Sequence, residues 1–282
     1  LAALETYDLE AIGQHFEKGA FPFSGISRLG SAEFHFREPA RYLGVALHAG
    51  SRVRPALSGV MAVTEQERLR EEDPDTDLFI REFPLQLIAR DSRFEYDLNW
   101  EPEKSIYDAG EKKWGLQVWN RELTAMEKEE SHAKYREFHA ILDMVLEAML
   151  RQGAPVILFD MHSFCYLREG PVNWFEDQKP EINLGTRHIN RRHFTLLVDT
   201  FLEGVSGMHI NGHPLRAGEN ELFSGGYLTR KYAGRFNREV LVMAIEYKKI
   251  FMNERTAVMD RDRFTILKTN FLEIKDQMLK LL

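Results

Sequence analysis

The chain has 282 residues, 44% of them hydrophobic and 29% charged, with a formal net charge of −7. That composition suits a globular protein with material for a sizeable core, and it argues against a nucleic-acid surface, because no stripe of clustered Lys and Arg is present. No apolar run reaches the roughly 20 residues of a membrane span, and the lone Cys165 excludes an internal disulfide and a cysteine-based zinc cluster.

Residues 1–40 carry no clear period beyond a loop with aromatic anchors at Phe21-Pro22-Phe23. Arg41 to Leu47 then reads as an apolar strand ending on His48, followed by the small residues Ala49 and Gly50. Residues 64–77 are strongly charged and read as a solvated loop leading into a helix, with Asp75, Thr76 or Asp77 as its cap. Leu85 to Ile88 suits a short strand or a helix end, and the alternation in Arg93 to Trp100 suits a strand or its approach. Residues 101–116 read as a loop.

Ser131 to Gln152 is the clearest helix, with Phe138, Ile141, Leu142, Val145 and Met149 on one face and Gly153 as terminator. It feeds Val156-Ile157-Leu158-Phe159, a strand apolar on both faces that runs into Asp160, His162 and Ser163. Residues 166–186 read as a long loop with Trp174 and Pro180. Thr186 to Glu203 reads as a helix closed by Gly204, and residues 207–230 as another loop. Val240 to Ile245 is a further buried strand, ending on Glu246. A C-terminal helix carries Phe264, Leu267, Phe271, Ile274, Met278 and Leu281 at heptad-like spacing, which suits packing on its own domain. Strands and helices alternate without a linker or repeat. The expected fold is therefore α/β, one three-layer αβα domain over residues 1–282 with a mixed, mostly parallel sheet. The first forty residues and the helix over 261–282 are embellishments of it.

Three buried strands thus end on His48, His162 and Glu246, and strand carboxyl ends meet along one edge of a parallel sheet. A single histidine at a strand end is more often a hydrogen-bonded structural residue. The repeated arrangement points instead to a metal site. Two imidazoles and a carboxylate are a usual ligand set for catalytic zinc, with one position left for water whose pKa falls to about 7. A separate carboxylate is then needed as general base. Glu246 is placed for that role, an acid near Asp77 for the third ligand, and Arg93 or Arg230 for a developing oxyanion.

The motifs together resemble the N-formylglutamate amidohydrolase family, zinc hydrolases related in fold to the zinc carboxypeptidases and aspartoacylase. The resemblance runs over roughly residues 42 to 255. It rests on His48-Ala49-Gly50, Asp75-Thr76-Asp77, Arg93 through Asp97-Leu98-Asn99, Asp160-Met161-His162-Ser163, Asn183 to Thr186, Gly225 to Arg230, and Ile245-Glu246. It implies a zinc-carboxypeptidase-like fold with one zinc ion held by His48, Asp77 and His162. Glu246 would be the base and Arg93 would polarise the carbonyl, while Asn99, Tyr227 and Arg230 would bind substrate. The substrate would be a small amino-acid derivative or short peptide; the lone cysteine and the absence of an apolar span make the cytoplasm the expected location, with neither nucleic acid nor membrane as partner.

The chain departs from the pattern at two places. The family reads Asp-Leu-Asn-Arg where this chain has Trp100, which cannot form a bidentate ion pair with a substrate carboxylate. Either Arg230 or Arg187 compensates, or the substrate lacks that carboxylate. The related carboxypeptidases carry a Glu three residues after the first His, where this chain has Ser51; that leaves Asp77 as preferred third ligand and Asp75 as fallback. The rival readings are a metallopeptidase or deacylase with another substrate, and a non-catalytic binding protein on a degenerate hydrolase fold.

Overall fold

Strands in mixed, mostly parallel pairing and the helices between them give an α/β fold, described by a computed structural model over residues 4–167, 174–175 and 178–282. The chain divides into two compact units, Leu1–Ala154 and Pro155–Leu282.

In the first unit the strands are β1 (Glu5–Tyr7), β2 (Phe23–Ser27), β3 (Ala32–Phe36), β4 (Tyr42–Ala46) and β5 (Leu85–Ala89). They lie in the order β1-β2-β3-β5-β4, with β1–β2 and β5–β4 parallel and the other pairs antiparallel. The unreadable N-terminal stretch is therefore sheet and helix. Phe23, Gly25 and Ser27, like Ala32, Phe34 and Phe36, alternate inward, the period of a half-buried strand. A small hairpin of β6 (Lys112–Lys113) and β7 (Leu116–Gln117) interrupts what the sequence suggests is a plain loop.

The helices of this unit are α1 (Leu9–Lys18), α2 (Pro55–Ser58), α3 (Glu65–Glu71) and α4 (Ala125–Gln152). α4 starts six residues before the expected Ser131. Its start is set by a capping box, Thr124 with Glu127, where side chain and backbone satisfy each other's donors. Thr64 and Glu67 do the same for α3, so the charged stretch is helical at its beginning, and Glu71 at the helix end with Glu72 and Asp73 beyond it are buried rather than solvated. Asp75, at φ 65, then turns the chain into a short helical turn over Thr76–Ile80.

The second unit contains β8 (Val156–Phe164), β9 (Ile182–Gly185), the pair β10 (His209–Ile210) and β11 (His213–Pro214), β12 (Ala217–Glu219), β13 (Val240–Lys248), and the pair β14 (Met252–Asn253) and β15 (Val258–Met259). Its main strands lie in the order β8-β13-β9-β12, with β8–β13 and β9–β12 parallel and β13–β9 antiparallel. β8 and β13 do not stop where the apolar runs stop. Both continue through the polar residues, so His162 and Glu246 sit inside strands and not at their ends.

The helices here are α5 (Thr195–Ser206), α6 (Tyr227–Arg235) and α7 (Arg261–Leu279). α5 starts later than the apolar pattern suggests and passes through Gly204 rather than ending there. The reason is packing: a Cβ on Gly204 would lie 2.5 Å from Cγ1 of Ile274 on α7, so the glycine lets the two helices touch. The apolar stripe of α7, from Phe264 to Met278, is buried, and Phe271 meets Phe159 of β8 edge to face. Part of the expected loop over residues 166–186, namely residues 168–173, 176 and 177, lies outside the described residues. Among the described residues no helix is long and apolar enough to cross a membrane.

Candidate active site

In the first unit the site is assembled around His48, two residues past the end of β4. Its position depends on Gly50, where a Cβ would sit 2.3 Å from the Arg90 carbonyl carbon; only glycine lets the chain press against the end of β5. The imidazole is buried, 1% exposed, and faces a carboxylate on each ring nitrogen. Nε2 lies 2.8 Å from Asp97 Oδ1, and Nδ1 lies 3.3 Å from Asp73 Oδ2. Asp73 is also tied to His48 through the backbone, its N–H donating to the His48 carbonyl at 2.9 Å, while the Thr76 hydroxyl donates to the Asp73 carbonyl at 2.7 Å.

Asp97 is wholly buried and has several donors. Arg93 gives it Nε at 3.1 Å and Nη2 at 2.8 Å, and the Tyr107 hydroxyl donates at 2.6 Å. Burial alone would push the Asp97 carboxyl up, but the charges of Arg93 and His48, with the hydrogen bonds from His48 and Tyr107, hold it well below the usual carboxylate range. Burial and the neighbouring Asp97 carboxylate push the Tyr107 phenol far up, so it stays a donor. Each ring nitrogen of His48 thus faces a carboxylate oxygen, Nε2 the more closely, and a metal ion at Nδ1 would leave the Nε2 proton to Asp97.

The residues Arg93 to Trp100 form this network from a turn, not from a strand. Their alternation reflects carboxylates folded inward: Glu95 and Asp97 are both 0% exposed, and Glu95 binds Arg54 at 2.6 Å. Arg93 is engaged by Asp97, by the Glu71 carbonyl at 3.3 Å and by the Trp114 ring. Asn99 donates its backbone N–H to Asp97 Oδ1 at 2.9 Å. Asp77 lies on the short helical turn with its carboxylate 3.6 Å from Arg81 Nη2, and burial pushes its carboxyl up against the pull of that arginine. The acid that adjoins His48 is Asp73, which the sequence reading passed over. Nothing in the spacing of that acidic run singles it out.

In the second unit Asp160, His162 and Phe164 alternate along β8 and share one face of the strand. Asp160 Oδ1 lies 3.0 Å from His162 Nε2, a charge contact that is close but off the hydrogen-bond axis. In the parallel register Glu246 of β13 is the direct partner of His162, and Asn183 of β9 is the partner of Glu246 on the other side. Residues so opposed project to one face about 5 Å apart. Asn183 holds the neighbouring loop: its amide donates to the Phe223 carbonyl at 2.8 Å and accepts the N–H groups of Glu221 and Leu222. Tyr227 and Arg230 lie three apart on α6, both half-buried. His188 has its pKa lowered, first by burial and then by the charges of Arg230 and Arg187, which places these cations in one neighbourhood.

The model of a family described as N-formylglutamate amidohydrolase matches residues 41–252. Among solved structures, the chain is similar to a crystal structure of N-formylglutamate amidohydrolase from Ralstonia eutropha JMP134, with 18% identity, 89% of this chain and 99% of that one covered, and a TM-score of 0.69. It is also similar to a gene product of Agrobacterium tumefaciens, with 18% identity, coverage of 88% and 96%, and a TM-score of 0.62. At that identity the likeness speaks for the fold. No curated protein is similar enough to the chain to count as a match.

Proposed function

The chain belongs to the N-formylglutamate amidohydrolase family, and we propose that it is a zinc-dependent amidohydrolase cleaving the N-formyl or N-acyl bond of an amino-acid derivative. The metal would be held by His48, Asp73 and His162, each of them buried. The observation that carries this reading is the 3.3 Å between His48 Nδ1 and Asp73 Oδ2. Zinc between them would take the place of the proton that the pair otherwise shares, and tetrahedral zinc ligands at about 2.0–2.1 Å would stand about 3.3–3.4 Å apart, the spacing seen here. The carboxylate of Asp97 behind Nε2 of His48 is the usual backing for a metal-binding imidazole.

Zinc bound there supplies a Lewis acid for the carbonyl oxygen and a water acidic enough to attack at neutral pH. Glu246, next to His162 in the register, would take the proton of the attacking water and pass it to the amine nitrogen as the C–N bond breaks. Arg93 fits a positioning role, because its guanidinium is bound to Asp97 through two nitrogens. Asn99, Tyr227 and Arg230 would contact polar groups of the substrate. By the family resemblance, Arg230 or Arg187 would meet a carboxylate of the substrate. Trp100 favours a second reading with the same chemistry, a deacylase or peptidase whose substrate offers an apolar group to the indole in place of a carboxylate.

The test is elemental analysis of purified wild type and His162→Ala, followed by a panel of N-formylglutamate, other N-acyl amino acids and short peptides. About one zinc per chain, lost in the variant, with turnover of an acyl-amino acid, supports the reading. Wild type that binds no zinc at neutral pH overturns it.

A further inference from the structure

The hairpin β6–β7 turns through two left-handed residues, Trp114 at φ 50 and Gly115 at φ 81. Glycine adopts that conformation freely, whereas a bulky residue is an outlier there and calls for a compensating contact. Trp114 has one. Its ring lies 4.6 Å from the central guanidinium carbon of Arg93, with the rings of Phe94 and Tyr107 meeting it edge on at 5.7 and 6.0 Å. The adjacent Lys113 places its ammonium 4.7 Å from the Trp100 ring and 5.0 Å from that of Tyr107, so Lys113 and Trp114 both meet the Tyr107 ring.

From Trp114 the contacts run without a gap to the imidazole: Trp114 on Arg93, Arg93 on Asp97 through two nitrogens, Asp97 on His48 Nε2. With the indole in place the Arg93 side chain is only 14% exposed. Water reaching the guanidinium would compete for its hydrogen bonds and screen its charge, loosening the carboxylate that orients His48. We propose that Trp114 is a positioning residue, acting from an exposed hairpin through Arg93 and Asp97 to set how firmly His48 holds a metal ion. The proposal rests on the zinc reading of His48.

The test is zinc affinity, measured by competition with a chromogenic chelator on wild type, W114A and W114F, with thermal melting of the metal-free proteins alongside. Direct partners of ligating histidines change metal affinity by about 10–100-fold, so a group one contact further out is expected to weaken it by about 3–10-fold in W114A. W114F keeps an aromatic face and should stay within about twofold of wild type. In an R93K background, which lacks the planar fork, W114A should cost nothing further. W114A binding zinc as tightly as wild type, or W114F losing as much as W114A, overturns the role of the ring while the zinc site stands. An equal loss from W114A in the wild-type and R93K backgrounds overturns the route through Arg93. Wild type that binds no zinc overturns the zinc reading and this inference together.

Discussion

His48 Nε2 lies 2.8 Å from Asp97 Oδ1, 49 residues further along the chain, and it is the shorter of the two carboxylate contacts that the ring makes. Asp97 is itself held by Arg93 and Tyr107, so the imidazole is held in orientation by a buried charge network. Asp97→Asn should therefore weaken zinc binding by about 10–100-fold, read by chelator competition. It should also destabilise the metal-free protein by about 3–5 kcal/mol in urea unfolding, because Arg93 is left buried without its counter-charge. Unchanged zinc affinity in Asp97→Asn would remove Asp97 from the metal-binding apparatus.

The two acids offered by the run after α3 make opposite predictions. Asp73 is 3.3 Å from His48 Nδ1, whereas Asp77 is 3.6 Å from Arg81. Asp73→Asn should lose bound zinc on dialysis, and Asp77→Asn should keep it. The reverse outcome, by elemental analysis of both variants, would restore Asp77 as the ligand.

Glu246→Gln keeps the size and hydrogen-bonding shape of the side chain but cannot accept a proton at neutral pH. We expect zinc content equal to wild type and turnover lower by about 10²–10⁴-fold, the usual contribution of a positioned general base. A variant with full turnover would transfer the role to another residue.

How much of this was legible before the structure differs from residue to residue. The buried strands carrying His162 and Glu246 were, because their apolar runs mark them, but the row that the two residues share comes from a register no run of residues reveals. The place of His48 after an apolar strand was also legible, and the structure puts it two residues past that strand. Asp73 was not. Its approach to His48 depends on the Asp73 N–H reaching the His48 carbonyl, on the Thr76 hydroxyl, and on the left-handed Asp75, and none of these has a sequence period. The start of α4 was legible in principle, since Thr124 and Glu127 have the spacing of a capping box, but a hydrophobic count alone misses it. Gly204 shows the converse error, a glycine read as a terminator when tertiary contact with Ile274 is what demands it.

That contact gives a prediction on stability alone. In Gly204→Ala the new methyl would sit 2.5 Å from Ile274 Cγ1 and 2.8 Å from Cδ1, and the first of these is close to the backbone of a branched side chain that cannot swing aside. Overpacking costs about 1–3 kcal/mol, against a gain of up to about 1 kcal/mol for replacing glycine inside a helix. The net change should be destabilising, a fall in melting temperature of about 2–4 °C. A melting point that rises would mean that α5 and α7 can move apart at little cost.

The start of α4 gives the pH prediction. Glu127 accepts from Thr124 at the first turn and is bound by Arg121 at 2.8 and 2.9 Å. The Arg121 hydrogen bonds, followed by the Thr124 backbone N–H, bring its carboxyl down from 4.5 to about 2. A carboxyl whose pKa is lower in the folded chain contributes stability that is fully present above the unfolded value and is lost as pH falls through the folded one. Glu127→Gln preserves the cap's hydrogen-bonding shape and removes the charge, so it isolates that contribution. The metal-free variant should melt about 1–2 °C below wild type at pH 7, a modest gap because the pair is solvent-screened. The gap should narrow from about pH 4.5 downward and close near pH 2, as Glu127 itself becomes protonated in both states. A gap that stays constant across that range would show that the carboxylate's charge contributes nothing and that the cap works through its hydrogen bonds alone.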